Sequence, residues 1–536
     1  MKSLITHYMK YQMAERVKED IFPVQANTYI TIGRPIRWGD DSNETPTEIE
    51  EAQYTTNYRN QIFRDMVAMK RVQVADLCLV IPRVDWQSGT TYDKYQDHYE
   101  LYSFESKTEV GNVTVTTGDT EVSNVDTGSI FSILSPGDII DLEGVRREII
   151  DVDSGSGVLN VNSAFATTFT SNLMLKISNT YPLFANNFYV RNKKDQVFKC
   201  LDNDGETSST VEPTIDIDGQ LPENPYIIAG DGYKWKYMYT IPYGLKQKFF
   251  TSTWMPVISD STVTSASVSG RIDIVDIVDG GSGYYLNGQS GNSNTLPIIV
   301  VTGDGTGANI TAKVESGVIT NLNILDGGSG YTTATITAVD PDQTTAGDDA
   351  VFDVIIGPPN GHGSDPSREL GCYSVMTTVE LDSTEGGNIP VSNTNSDTFD
   401  FRQICLIRDP VLANGSYANA SVYRITTKVT ITDPGSTNYL NDETVYIGPS
   451  LATASFTGVV VYWDTNNNIL YLNNLTGTYS TGEQLTGVSS AAVGTILSVD
   501  DPVIELFTGD VLYIENRSKI IRDNNQSEQI RLTFSF

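Results

Sequence analysis

The segment Ile530-Arg531-Leu532-Thr533-Phe534-Ser535-Phe536 alternates strictly between apolar and polar residues. A period of two is the pattern of a strand with one face in a core. It places Ile530, Leu532, Phe534 and Phe536 on one buried face, with both phenylalanines as core side chains. A second short apolar run, Val511-Leu512-Tyr513-Ile514, follows the turn signal Thr508-Gly509-Asp510. The stretch from Leu506 to Phe536 therefore reads as a hairpin that closes a sheet of a β core, and a chain built on such a closure is a β protein.

At 536 residues the chain is too long for one compact core, and two to four domains are expected. The 44 glycines and 28 tyrosines suit sheets and turns. A net charge of −32 repels phosphate backbones, so nucleic-acid binding is not expected. Cys78, Cys200, Cys372 and Cys405 lie far apart without a CxxC. They form neither a disulfide framework nor a zinc motif, and fit synthesis in a reducing cytosol. The first twenty residues lack the apolar stretch of a signal peptide, and no run approaches eighteen apolar residues, so no membrane span is expected.

Leu4 to Ile21 reads as an amphipathic helix ended by Pro23, and Thr28 to Arg34 as a strand. An acidic loop from Asp40 to Glu51 holds Pro46. Ala52 to Lys70 is a second helix candidate, with Ile62, Phe63, Met66 and Met69 on its apolar side. Val74 to Ile81 is a strand stopped by Pro82, and Tyr99 to Phe104 begins another. Ser106 to Asn179, rich in Val, Thr, Gly and Asp with turns at Pro136-Gly137-Asp138 and Ser154-Gly155-Ser156-Gly157, reads as a small inserted β-barrel or β-sandwich. Tyr181 to Leu201 returns to strong alternation, and Arg424 to Val499 is a further β-rich insertion.

Asp279-Gly280-Gly281-Ser282-Gly283-Tyr284 recurs 47 positions later as Asp326-Gly327-Gly328-Ser329-Gly330-Tyr331, each copy after an alternating apolar run. Glycines at the turns of a repeated β unit explain it. Gly303-x-Gly305-x-Gly307 is no phosphate cradle, because Ala308 to Val314 continues as a strand. Asp279 and Asp326 lack the clustered carboxylates of a calcium site.

Several residues carry a functional reading beside a plainer one. Arg83, Asp85 and Trp86 read as a structural loop with a buried indole and a local ion pair. Trp235, Tyr237 and Tyr239 share one side of a strand and could form a sugar platform, though core and interface are the commoner use of such a face. His362 beside Asp365, in the breaker-rich loop from Gly357 to Pro366, could be a catalytic pair, but no Ser or Cys nucleophile motif accompanies it. The chain holds only three histidines, His7, His98 and His362. No catalytic, cofactor-binding or metal site emerges.

Four stretches resemble a known family, the baseplate wedge subunits (gene eight products) of T-even-type contractile-tailed bacteriophages. They are Tyr29-Ile30-Thr31-Ile32-Gly33-Arg34 with Trp38 and the following Val80-Ile81-Pro82-Arg83-Val84-Asp85-Trp86; Gly230-Asp231-Gly232-Tyr233 leading to Ile241-Pro242; Phe401-Arg402-Gln403 to Pro410; and Gly509 to Arg517 with the Phe-x-Phe end. The resemblance covers roughly Thr28 to Phe104, Tyr181 to Pro256, Phe401 to Pro410 and Leu506 to Phe536. Members of that family run almost directly from the Tyr99 strand to the Tyr181 strand, so the insertions depart from it.

What the resemblance implies is a mainly β fold: a multi-layer β-sandwich core with a few helices in its N-terminal loops, enlarged by small inserted β domains. Its parts are expected at 1–105, 180–262, 358–424 and 501–536 for the core. The insertions are expected at 106–179, 263–357 and 425–500. It further implies a structural subunit of the virion tail baseplate, assembled in the host cytoplasm. Such a subunit forms a homodimer, contacts other baseplate wedge proteins, has an indirect role near the host surface, needs no cofactor and has no enzyme activity. Two other readings stay open from the residues. One is a tail-associated glycan hydrolase using paired carboxylates. The other is a host-surface glycan-binding protein, with Trp254 and Trp463 in exposed clefts.

Overall fold

A computed structural model describes residues 7–21, 27–35, 55–95, 105–124, 134, 139–142, 145–153, 157–161, 164–179, 187–215, 227–284, 297–339, 350–393 and 398–536. Leu4, Pro23, Trp38, the acidic loop, the strand expected over Tyr99–Phe104, the turn at Pro136–Asp138, Ser154–Ser156 and His98 lie outside them. The chain is mainly β, with several antiparallel sheets and few helices. It divides into two compact units.

One unit holds Met13–Val80, Gln247–Phe249 and Ser374–Phe536. Its larger sheet has five strands in the order Val422–Arg424, Met66–Arg71, Thr28–Gly33, Phe399–Arg408, Asp510–Arg522. In a second ladder, Ser374–Asp382 is flanked by Leu77–Pro82 and Ser527–Ser535. Ile30, Ile32, Phe401, Ile404 and Leu406 of the first sheet and Val379, Leu381, Ile530 and Leu532 of the second share one buried cluster. The residues between them on the first sheet, Tyr29, Met69, Cys405 and Ile407, pack instead with Ile62 and Phe63 of the helix Thr56–Asp65. Side chains alternate across a strand, so burial of every residue from Thr28 to Gly33 requires cover on both faces. Helix, sheet and sheet supply that cover as three layers.

The helix expected to reach Lys70 stops at Asp65. Thr55 caps its start, accepting from the Tyr58 N–H at 3.3 Å, and Met66 leaves it with extended angles, φ −61° and ψ 136°. Met66–Arg71 then pairs with the Thr28–Gly33 strand, Ile32 opposite Ala68. A short run such as Met-Val-Ala-Met fits either period, and the open sheet edge decides it.

The C-terminal hairpin is also corrected. Asp510–Arg522 pairs with Phe399–Arg408, whereas Ser527–Ser535 pairs with Ser374–Asp382. Its two arms therefore enter two different sheets, and the connection turns a corner of the sandwich. Ile530 and Leu532 are buried, but Phe534 is only partly buried against the core and Phe536 lies past the end of the strand, half-buried.

Thr427–Asp500 forms a closed six-stranded barrel around Val445, Phe456, Trp463, Leu470 and Leu485. This barrel is not a loose appendage. Val461, Tyr462, Ile469 and Tyr471 on its wall belong to the sandwich core.

The other unit holds Met1–Gln12, Ile81–Lys246 and Phe250–Tyr373. Glu105–Asn179 closes into a second six-stranded barrel, entered and left by two paired strands with Glu105 opposite Asn179. Among the described residues, its buried cluster runs from Val110 to Met174, all within the barrel. A four-stranded sheet follows, in the order Tyr189–Arg191, Gln196–Asp202, Lys234–Thr240, Ile227–Ile228.

The 47-residue repeat folds as two interlocked halves. Each contributes three strands: Ile272–Asp279, Ile298–Gly303 and Thr306–Glu315, then Val318–Ser329, Ala334–Val339 and Val351–Ile356. The first strand of each half pairs with the last strand of the other, and the two middle strands pair together. The repeated words explain the joints. Tyr284 N–H donates to Gly317 O and Tyr331 N–H to Gly270 O, both at 3.0 Å, and Gly270 and Gly317 are themselves 47 apart. A Cβ on Gly280 would stand 2.3 Å from Ile319 O, and one on Gly327 would stand 2.2 Å from Ile272 O. Neither place admits a side chain. Asp279 and Asp326 each accept the N–H two residues on, at 2.9 and 3.0 Å, so both aspartates shape turns.

Candidate functional site

Lys199 points from a strand, Gln196–Asp202, that is buried on both faces. Its ammonium meets the Glu369 carboxylate, lies 2.6 Å from His362 Nδ1 and stands 3.9 Å over the Tyr95 ring. Glu369 also accepts the backbone N–H groups of Gly363 at 2.8 Å and Asp365 at 3.1 Å. On the far side of the imidazole, His362 Nε2 lies 3.2 Å from Asp273 Oδ2. Burial raises the Glu369 carboxyl, but Lys199 and His362 outweigh it and bring the group down to about 2. Burial, then Lys199, depresses the imidazole. Asp273 is raised by burial, and burial lowers the nearby Lys236 to about 8.

These groups are all buried, and among the described residues no serine or cysteine is bonded to His362 Nε2. The cluster seats the Gly357–Pro366 loop instead. Gly361 and Gly363 adopt φ of 90° and 89° there, and a Cβ on Gly363 would stand 2.4 Å from Val263. The pair suggested by sequence does not form. Asp365 caps a helical turn by accepting from the Arg368 N–H, and receives the Tyr11 hydroxyl at 3.2 Å. Lys199, Glu369 and Asp273 escaped the sequence reading. The available signal was a lysine inside the apolar word Gln-Val-Phe-Lys-Cys-Leu.

Arg83 and Asp85 do form the expected ion pair, and Arg191 joins it, its Nε 2.7 Å from Asp85 Oδ1. Burial alone would raise Asp85, and the two guanidiniums hold it below the usual carboxylate range. Arg83, Arg191 and Lys246 surround the Phe250 ring at 4.5, 4.8 and 5.4 Å. The Trp86 indole is half-buried rather than buried. It donates to Ser209 Oγ at 3.0 Å, and that hydroxyl donates to Asp231 of the Gly230–Tyr233 turn at 3.1 Å. Trp235, Tyr237 and Tyr239 are all buried, so they form no exposed sugar platform. Trp463 is buried against Tyr439 in its barrel, and Trp254 is half-buried, so neither stands in an exposed cleft.

In the sandwich unit, Arg34 and Arg402, each 1% exposed, share Asp400 and Asp442. Arg402 also donates to Pro35 O at 3.0 Å, and Gln403 donates to Asn516 at 2.8 Å. All four cysteines are buried and free, and burial pushes the Cys405 thiol up to about 12. Among the described residues no three His, Cys, Asp or Glu side chains are grouped to hold a metal ion, and no helix is long and apolar enough to cross a membrane.

The repeat unit carries a groove of about 890 Å³. One wall is the seam between Ile272–Asp279 and Val318–Ser329. The other is the turn Asp202–Gly205 with Gly232 and Lys234. Lys94 reaches Asp276 at 2.5 Å and Lys234 reaches Asp202 at 3.0 Å. Comparison of the sequence with protein-family models and with curated proteins finds no match.

Proposed function

We propose that this chain is a structural subunit of a contractile phage tail baseplate wedge, which dimerises and joins other wedge proteins during assembly and tail firing. The observation that carries the reading is where the family-like words fall. Tyr29–Arg34 lies more than 360 residues before Phe401–Pro410, and that stretch about 100 before Gly509–Arg517, yet their strands are immediate neighbours in one sheet. Gly33 stands opposite Gln403, and Gln403 opposite Asn516. In the other unit, Trp86 and Asp231 meet through Ser209. Words that resemble those of a family and serve as internal struts suit a protein whose task is shape. The buried ion networks of Arg34, Arg402, Asp400 and Asp442 and of Lys199 and Glu369 suit it as well.

The test is an antibody raised against the purified chain and imaged on contractile-tailed virions by negative-stain electron microscopy. Label at the distal tail plate supports the proposal. Label confined to capsid or sheath, or absent from particles shown by mass spectrometry to contain the chain, overturns it.

A further inference from the structure

We propose that the groove on the repeat seam binds a neutral, hydroxyl-rich ligand, an uncharged oligosaccharide. The groove is built symmetrically. Val275, Asp276 and Ile277 line it, and so do Leu322, Asn323 and Ile324, which stand 47 positions further on. The two strands are tied at both ends, where Ile319 N–H donates to Gly280 O at 2.9 Å and Tyr331 N–H to Gly270 O at 3.0 Å. No ladder joins them between: Ile272–Asp279 belongs to a two-stranded sheet with Val351–Ile356, and Val318–Ser329 is the end strand of a separate four-stranded sheet, beside Thr306–Glu315. The groove lies along this unpaired middle.

Its chemistry selects the ligand. The lysines at the groove already have carboxylates: Lys94 with Asp276, Lys234 with Asp202, and Lys313 with Glu315 at 2.5 Å. An anionic ligand would have to break those pairs, and an apolar one would strip water from them. The exposed wall presents the amides of Asn321 and Asn323 and the hydroxyls of Thr311 and Thr320 beside Lys313; the two hydroxyls donate to the Asn323 and Lys313 carbonyls at 3.4 and 3.5 Å and can still accept. Asn323 stands opposite Thr311 and Asn321 opposite Lys313, so successive polar pairs repeat about every 7 Å along the strands. Each amide offers both donors and an acceptor, which is what a sugar hydroxyl uses. The volume lies within the range of about 300–1,000 Å³ typical of ligand sites.

The facing turn is held in an unusual shape. Asp204 and Glu206 both have positive φ, 51° and 65°. Asn203 fixes them by accepting the Glu206 N–H at 3.2 Å and donating to Tyr92 O at 3.0 Å. Such conformations cost about 1–3 kcal/mol each and persist where the surroundings impose them.

The test uses the full-length chain with maltohexaose, cellohexaose, mannohexaose and tetra-N-acetylchitotetraose, measured by saturation-transfer NMR and calorimetry. Polygalacturonate and a Ser-Gly-Asn peptide serve as comparators. At least one neutral sugar should bind, and the Asn321→Ala/Asn323→Ala variant should weaken it about tenfold or more. Thr311→Val/Thr320→Val probes the same wall independently, should the first variant fold poorly. The proposal is overturned if no neutral sugar binds up to about 10 mM, if a comparator binds in preference, or if neither folded variant weakens binding. Sugar binding by the isolated chain does not depend on baseplate assembly, so this result and the fate of the wedge reading are separate.

Discussion

The guanidinium of Arg34, just past a central strand of the sandwich, is held by the carboxylate of Asp442 in the Thr427–Asp500 barrel. Arg402 shares that carboxylate. Removing Asp442 would leave two buried guanidiniums with Asp400 alone, and breaking a buried pair costs about 3–5 kcal/mol. Asp442→Ala should therefore lower the sandwich melting transition by several degrees. Arg16→Ala removes the exposed Arg16–Glu19 pair, worth under about 1 kcal/mol, and should leave the transition in place. Equal shifts in the two variants would show that the Arg34 network is incidental.

The two barrels should differ in dispensability. Replacing Glu105–Asn179 by a short linker should leave a soluble, folded protein, because its core is its own and its entry and exit strands are paired neighbours. Excising Thr427–Asp500 strips Val461, Tyr462 and Tyr471 from the sandwich core, and that protein should aggregate. Circular dichroism and size-exclusion chromatography of the two deletions read the difference. A soluble second deletion with an intact melting transition would refute the shared core.

Along the Ser527–Ser535 strand, Leu532→Ala should cost about 2–5 kcal/mol, the usual range for a buried leucine. Phe536→Ala, at a half-buried position beyond the strand, should cost less than either Leu532→Ala or Ile530→Ala. Thermal unfolding ranks the three. A Phe536 effect as large as that of Leu532 would place the final ring in the core after all.

These contrasts show what could be read from the chain alone. Alternation marked Ile530 and Leu532 correctly, because period fixes which face a residue takes. It could not say which sheet receives the strand, and so two arms entering different sheets read as one hairpin. Met66 to Met69 fitted both periods, and a long-range neighbour, the Thr28–Gly33 strand, decided between them. The Asp-Gly-Gly-Ser-Gly-Tyr words were legible as turns, but their reciprocal contacts with Gly317 and Gly270 depend on the interlocking of two halves. The Lys199 cluster gathers side chains from strands and a loop far apart in sequence, and local pattern carries no trace of such a meeting.

Acid should loosen the Lys199 cluster. Between about 2 and the ordinary carboxylate range the folded chain binds fewer protons at Glu369 than the unfolded chain does. That share of stability is complete above the ordinary glutamate value and is lost as the pH falls toward 2. Glu369→Gln should melt lower than the parent at neutral pH, with a gap that narrows as the pH falls from about 5 to about 3. A gap that stays constant would show that the pair does not hold Glu369 ionised.

The central claim is that this chain is a building part of a baseplate. A nonsense mutation placed early in its gene tests this most directly, with electron microscopy of the particles made in a non-suppressing host. Tails without complete baseplates, restored by the plasmid-borne parent chain and not by Asp442→Ala with Arg402→Ala, are the predicted result. Complete baseplates and normal infectivity without the chain would contradict it.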